Sequence, residues 1–363
     1  MPTKILCIVG TRPEVIKMAP VVRALRARAR FAGTVLCSGQ HRDLLKPLAD
    51  WFELGFDDDL ALMTENQSLA ALTARLMTAF DDYLRRERWD LIMAQGDTTT
   101  VTCAALACFY LQLPFAHVEA GLRTFDLANP FPEEFNRWAA GRLARFHFCP
   151  SGRAAENLRA ECADSAAIHV TGNPVIDALR FTLAKLGRTV APGNGHDILL
   201  TAHRRENFGM PLENVFHAVR VLCDEYPRLR VLYPMHPNPN VREPAQRLLG
   251  GHPRITLAEP LSYPELVSAM QQARFILTDS GGIQEEAPAL GKPVLVLRSR
   301  TERPEVVELG VARLVGTDSA TILAECRRLL DDERHYTAMA RGGSPYGDGR
   351  AAERIADILE ARL

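Results

Sequence analysis

Arg274-Phe275-Ile276-Leu277-Thr278-Asp279-Ser280-Gly281-Gly282-Ile283-Gln284-Glu285-Glu286 carries the grammar of the whole chain. The apolar run 274–278 reads as a buried strand, Asp279 to Gly282 as a tight loop, and 282–290 as the helix that follows. A short apolar strand feeding a helix through a glycine loop is half of a βαβ unit, and its repetition implies a parallel sheet. The same pattern opens the chain: strand 4–9 runs into Gly10-Thr11-Arg12-Pro13-Glu14 and a helix over 14–29, with Pro13 near its first position. Strands at 34–38, 90–94, 114–118 and 145–149 and helices near 41–53 and 98–110 continue it. After a Gly- and Pro-bearing linker at 187–196 the series restarts with strand 197–202, helix 212–226, strand 229–233, helix 238–249, strand 254–258 and helix 263–273. Beyond 290 come strands at 294–297 and 312–315 and a helix at 319–330. The fold class is therefore α/β, with two Rossmann-like domains built on parallel sheets. They are divided as 1–173 and 174–350, and a last helix, 351–363, is expected to pack back on the first.

Length agrees, since 363 residues exceed the size at which single cores stop growing, about 250–300 residues. Hydrophobic residues are 47% and charged residues 24%, an ordinary soluble mixture. Lys and Arg total 43 against 44 Asp and Glu, which excludes the cationic surplus of a broad nucleic-acid footprint. The eight cysteines form no C-x-x-C, so neither zinc nor redox chemistry is signalled, and reduced core cysteines in a cytoplasmic protein are expected. Residues 98–118 carry no formal charge. Their threonines, Gln112, Pro114 and His117 divide them into a small-residue helix and a short strand rather than a membrane span.

In open parallel sheets ligands bind beyond the carboxyl ends of the strands, so the residues that follow each strand carry the chemistry. Ser280-Gly281-Gly282 leaves backbone N–H groups at a helix start, suited to a phosphate, and Glu286 one turn on can reach a ribose. A plain turn with a serine cap is the bland alternative. Arg303 after the next strand either counters the same charge or is a solvated surface residue. Asp97, Glu119 and Glu133 stand at successive strand ends or helix starts. Each alone can be a cap, a first-turn acid or, for Glu119, a partner of Arg123. Together with Arg12 and Lys17 they describe a cleft holding acids and bases. His203 and His236 read as structural or catalytic, and no spacing suggests a metal. The arginines at 23, 26, 28 and 30 and at 85, 86 and 88 read as solvated helix faces. No G-x-x-x-x-G-K-[ST], no G-x-G-x-x-G after the first strand and no G-x-S-x-G occurs, which weakens P-loop, nicotinamide and serine-hydrolase readings.

In combination, Gly10-Thr11-Arg12-Pro13-Glu14-Val15-Ile16-Lys17, Gln40-His41-Arg42, Gly96-Asp97-Thr98-Thr99-Thr100 and His117-Val118-Glu119-Ala120-Gly121-Leu122-Arg123-Thr124 resemble the non-hydrolysing UDP-N-acetylglucosamine 2-epimerases. So do Pro132-Glu133-Glu134, Asn136-Arg137, Thr171-Gly172-Asn173, Thr201-Ala202-His203-Arg204-Arg205-Glu206, the 278–286 stretch and Glu302-Arg303-Pro304-Glu305. The likeness runs in order through essentially the whole chain. It implies a GT-B-like fold, two Rossmann-like domains facing a central cleft, as a homodimer. The implied reaction interconverts UDP-N-acetylglucosamine and UDP-N-acetylmannosamine for cell-surface polysaccharide, with no metal or other cofactor. By motif position, Arg12, Lys17, Asp97, Glu119, Glu133 and His203 match active-site residues, and Ser280, Gly281, Gly282, Glu286 and Arg303 match UDP-binding groups. Leu261 and Leu266 fall at uracil-contact positions whose side chains vary, so backbone or packing contacts are expected there. Gln40, Arg75, Arg204 and His236 match a site where some relatives bind a second substrate molecule as activator, although Asp43 replaces a glutamine found in some of them. Gln95 stands where relatives often have histidine. Rival readings are the hydrolysing branch, disfavoured by Pro13-Glu14, a GT-B glycosyltransferase, and an idle nucleotide-sugar sensor, disfavoured by the three carboxylates.

Overall fold

A computed structural model describes residues 1–39, 42–62, 67–161, 164–187 and 197–363, without the side chains of 42–44. Two units are present, Met1–Arg180 with Tyr346–Leu363, and Phe181–Pro345.

The first unit holds strands β1 (Thr3–Val9), β2 (Phe31–Cys37), β3 (Asp58–Asp59), β4 (Leu91–Gln95), β5 (Phe115–Val118), β6 (Phe146–Cys149) and β7 (Ile168–Val170). All pair in parallel, in the order β3-β2-β1-β4-β5-β6-β7. Its helices are α1 (Arg12–Arg26), α2 (Arg42–Trp51), α3 (Leu69–Leu84), α4 (Thr99–Tyr110), α5 (Glu133–Leu143), α6 (Gly152–Ala160) and the start of α7 (Pro174–Lys185). Continuous apolar strands such as Ile5-Leu6-Cys7-Ile8-Val9 are buried, as a sheet covered on both faces requires. The uncharged stretch after Asp97 divides at Pro114 as expected, into α4 and β5.

The second unit repeats the plan with β8 (Ile198–Thr201), β9 (Val231–Pro234), β10 (Ile255–Ala258), β11 (Phe275–Thr278), β12 (Val294–Val296) and β13 (Ala312–Leu314), ordered β10-β9-β8-β11-β12-β13. Its helices are α8 (Met210–Glu225), α9 (Pro239–Leu249), α10 (Tyr263–Gln272), α11 (Gly281–Ala289), α12 (Pro304–Glu308), α13 (Ser319–Asp331) and α14 (Glu333–Met339). Phe216, Tyr233 and Phe275 are the large side chains of its core. Each sheet reverses its strand order once, between β1 and β4 and between β8 and β11. Such reversals are the places where open α/β sheets take ligands.

The chain leaves the first unit inside α7, at Arg180–Phe181, so the boundary expected at 173/174 falls at the beginning of that helix instead. Residues 188–196 of the expected linker lie outside the described residues. The last helix, α15 (Ala351–Arg362), belongs to the first unit. Asp177 of α7 accepts from Ala351 N (3.1 Å) and Ala352 N (2.9 Å), satisfying two amides that the helix start leaves without partners. Arg28, expected to be solvated, instead bonds Asp357 and Glu360 of α15. The described cysteines are buried, and no described helix is long and apolar enough to cross a membrane.

Candidate active site

At the reversal in the first sheet, the loops after β1 and β4 are tied by a single carboxylate. Glu14 is buried, and its Oε2 accepts from Gly10 N (2.5 Å) and Thr11 N (2.9 Å). Thr98 Oγ1 donates to Glu14 Oε1 (2.6 Å). Thr11 and Glu14 form a capping box on α1, and Thr98 is the cap of α4, so one side chain serves the amino ends of two helices. Pro13 stands in the first turn of α1, where its missing amide leaves no bond unmade.

Asp97 is not the cap of α4. Its carboxylate accepts from Arg137 Nη2, and its backbone carbonyl accepts from Asn136 Nδ2 (2.9 Å), both on α5. Glu134 accepts from Thr124 N and Phe125 N (2.9 Å each) and lies 3.2 Å from Arg137 Nη1. Glu133 begins α5, where a carboxylate suits the helix dipole, and its Oε2 is buried without a hydrogen-bond partner among the described residues.

Glu119 follows β5 with a backbone φ of 64°, a left-handed conformation that a non-glycine residue holds only when its surroundings fix it. Lys17 and Asn173 both donate to its Oε2, and all three residues are buried. Arg123 pairs with Glu161 rather than serving as the partner of Glu119 that the alternative reading offered. His117, on β5 just before, shares a 2.7 Å hydrogen bond with Gly96 O and so anchors the loop that carries Asp97. Burial holds its imidazole down at about 4, which keeps it neutral and makes its ring the donor. Arg12 is exposed at the start of α1. The structure thus brings Arg12, Lys17, Asp97, Glu119 and Glu133 to the strand ends and helix starts of one unit.

The reversal in the second sheet is closed in the same way. Asp279 is fully buried, and its Oδ2 accepts from His203 N (2.9 Å), Arg204 N (2.8 Å) and Asn207 Nδ2 (3.1 Å). His203 Nδ1 lies 3.6 Å from Asp279 Oδ1. The His203 ring stacks on His236 at 5.5 Å, and burial, then the neighbouring His203, holds His236 below the usual histidine range. Ser280 precedes α11 without a side-chain cap, so no serine hydroxyl competes for the first amides of that helix. A methyl on Gly281 would meet Arg303 Nη1 at 2.6 Å, so the guanidinium packs where a side chain would stand. Over Gly282 the space is open save for Glu286 Oε2 at 3.9 Å. Arg303 is buried, with Nε on Glu285 (2.6 Å) and Nη1 on Glu302. Glu302 in turn bonds Arg298, which bonds the exposed Glu206 (2.9 Å), so Arg303 belongs to an alternating chain of charges that runs from the interior to the surface.

Leu261 and Leu266 are half-buried on either side of Tyr263, whose hydroxyl donates to Glu286. Arg75 bonds Gln67 in the first unit, Arg204 and His236 lie in the second, and Gln40 lies outside the described residues. No cluster of metal-ligating side chains occurs among the described residues. Glu14, Asp279 and Tyr263 were not singled out from the sequence. The capping-box spacing of Thr11 and Glu14 was a usable signal for the first, whereas the partners of Asp279 and Tyr263 are remote in the chain.

Two doubly wound parallel units, one with an uncapped helix start and the other with braced acids, are the architecture of the GT-B-like class. Residues 23–360 match the UDP-N-acetylglucosamine 2-epimerase family, and the chain belongs to it. Similar proteins include the Bacillus subtilis UDP-N-acetylglucosamine 2-epimerase, 45% identical over 98% of this chain and 94% of that one. The Campylobacter jejuni enzyme of the same name is 43% identical over 99% and 98%. Among solved structures, UDP-GlcNAc 2-epimerase from Neisseria meningitidis bound to UDP-GlcNAc superposes with a TM-score of 0.95 at 42% identity, covering 99% of this chain and 100% of that one.

Burial pushes the Glu14 carboxyl up to about 7, against hydrogen bonds from Thr98, Gly10 and Thr11 that pull it down. Its folded form holds the proton more tightly than the unfolded chain, so its contribution to stability is present below 4.5 and is lost as the pH rises through about 7. His117 and His147, both held down at about 4 by burial, act oppositely, and their contribution is lost as the pH falls from 6.5 to about 4. Glu14→Gln removes the opposing carboxyl, so its melting temperature should fall more steeply than that of the parent between pH 7 and pH 5. Equal slopes in thermal denaturation at the two pH values contradict the assignment.

Proposed function

We propose that the protein interconverts UDP-N-acetylglucosamine and UDP-N-acetylmannosamine without net hydrolysis. The observation that supports this most is the uncapped start of α11, open above Gly282 and bordered by the Glu286 carboxylate. Backbone amides there suit a diphosphate, and the carboxylate suits a ribose hydroxyl. The Neisseria meningitidis relative binds UDP-GlcNAc and a Staphylococcus aureus relative, with a TM-score of 0.93 at 45% identity, was solved with UDP.

The hydrogen on carbon 2 of the sugar is not acidic while carbon 1 keeps its bond to UDP. Loosening that bond gives carbon 1 oxocarbenium character and acidifies the neighbouring hydrogen. The α11 amides, with the exposed Arg12 as a cation, stabilise the departing diphosphate. A carboxylate then removes the proton, leaving 2-acetamidoglucal and bound UDP. Return of UDP to carbon 1, with protonation of carbon 2 on the opposite face by a second group, inverts that centre. Two faces need two proton carriers, and Asp97, Glu119 and Glu133 are the candidates. Lys17 and Asn173 fix Glu119, and Arg137 fixes Asp97. His203, its loop set by Asp279, lies with the nucleotide groups of the second unit.

The cytoplasm is the proposed compartment, supply of a cell-surface polysaccharide precursor the proposed role, and a homodimer the working form. The exposed aromatics Phe109 and Tyr110 at the end of α4 and Phe135 and Trp138 on α5 support the last, and light scattering at twice the chain mass checks it. Incubation with UDP-N-acetylglucosamine in deuterated water tests the reaction. Both UDP-sugars should be recovered with deuterium at carbon 2, whereas free N-acetylmannosamine points to the hydrolysing branch and absent turnover to a sensor. Gly282→Ala should leave the melting temperature unchanged or slightly raised, because the methyl meets only Glu286 Oε2 at ordinary contact distance. The same methyl occupies the space a phosphate needs, so UDP affinity by calorimetry should drop at least tenfold, and unchanged affinity contradicts the placement.

A further inference from the structure

We propose that Asp279 is a positioning residue for the His203 ring: one carboxylate oxygen fixes the loop that carries the histidine, and the other takes Nδ1–H of the imidazole and leaves Nε2 as the outward atom. The inference deepens the reading of the second unit as the nucleotide wall and rests on it.

Asp279 follows β11, directly before the uncapped start of α11, and its side chain is fully buried. It reaches across the strand-order reversal to the loop after β8, where Oδ2 accepts from His203 N, Arg204 N and Asn207 Nδ2. Asn207 Nδ2 also donates to Leu297 O (3.2 Å), so the loop is held from the end of β12 as well. Three donors on Oδ2 fix the plane of the carboxylate. Oδ1 is buried and has no hydrogen-bond partner among the described residues. The nearby phenol of Tyr233 does not serve it, since that hydroxyl donates to Ala202 O (2.8 Å).

His203 Nδ1 lies 3.6 Å from this oxygen. A buried carboxylate oxygen without a donor is costly, and a ring nitrogen that brings a hydrogen removes that cost. The separation is longer than a hydrogen bond. A small turn of the ring, whose side chain keeps 39% exposure, closes it, and such contacts commonly tighten when a substrate arrives. Of the two neutral tautomers, only the one with its hydrogen on Nδ1 suits this neighbour.

His236 sets the other limit on the ring. Its Nδ1 accepts from Asn238 N (3.2 Å), which places its own hydrogen on Nε2. His203 stacks on it with the ring planes 13° apart. The face of His203 is thus set by His236 and one edge by Asp279, so the remaining edge is Nε2. That nitrogen takes up a proton and, carrying it, donates to an anion, while Asp279 balances the charge of the ring. A departing diphosphate beside the α11 amides needs such a donor.

Nitrogen-15 spectra of histidine-labelled, full-length protein test this, the His203 signals being those lost in His203→Ala. At a pH where the ring is neutral, the parent should carry the hydrogen on Nδ1. In Asp279→Asn the amide oxygen keeps the three donors and its NH2 replaces Oδ1, so the hydrogen should move to Nε2. Asn207→Ala loosens the same loop without altering Oδ1 and should leave the hydrogen on Nδ1. For deuterium entry at carbon 2, Asp279→Asn should lower kcat at least tenfold with KM within about threefold of the parent. In the His203→Ala background the same change should cost less than about twofold. A parent ring with its hydrogen on Nε2, an Asp279→Asn ring that keeps it on Nδ1, or an equal loss in both backgrounds overturns the positioning role. The parent spectrum decides even where Asp279→Asn does not fold. A parent that shows no exchange defeats the epimerase reading, and the ring nitrogens still decide the role of Asp279.

Discussion

At both sheet reversals a buried carboxylate ties the two loops that flank it. Glu14 receives amides from its own loop and a hydroxyl from the β4 loop, and Asp279 receives two amides and a side-chain amide from the loop after β8. A carboxylate removed from water demands such donors, so the loops have no freedom to separate without leaving it unpaired. Everything that gives these strand ends their chemistry, from Arg12 and Asp97 to His203 and Ser280, is carried on loops held this way.

The two units use their helix starts differently. In the first, Glu14 covers the amino end of α1, and the chain's own carboxylate sits where other sheets of this topology receive a phosphate. In the second, the corresponding carboxylate, Asp279, is spent on the opposing loop, and α11 keeps an uncapped start beside Gly282. The difference leaves an open helix start beside Gly282 in the second unit, and the candidate acids lie in the first. Two of those acids are braced: Lys17 and Asn173 hold Glu119, whose backbone is in the left-handed region, and Arg137 holds Asp97.

Much of this was legible in the sequence because buried parallel strands are short apolar runs and the residues after them are polar. The edge strands β3 and β7, two and three residues long, carried no such run and were not read. Helix α3, with Leu72, Leu76 and Phe80 on one face, had the right spacing but was not read either. The candidate acids stood at strand ends and so were visible, whereas their partners were not. Asp279 and His203 are 76 residues apart, and Glu14 and Thr98 are 84 apart, distances that local pattern does not bridge. Arg303 reads from the sequence either as a ligand's counter-ion or as a solvated residue, and its pairing with Glu285 and Glu302 is set by packing that local pattern does not show.

The separation of nucleotide grip from proton transfer can be decided by titrating UDP into Glu119→Gln in a calorimeter, with exchange at carbon 2 followed on the same preparation. If the two tasks are divided as described, UDP binds within about twofold of the parent while solvent deuterium no longer enters the sugar. Weakened UDP binding with exchange intact would contradict it.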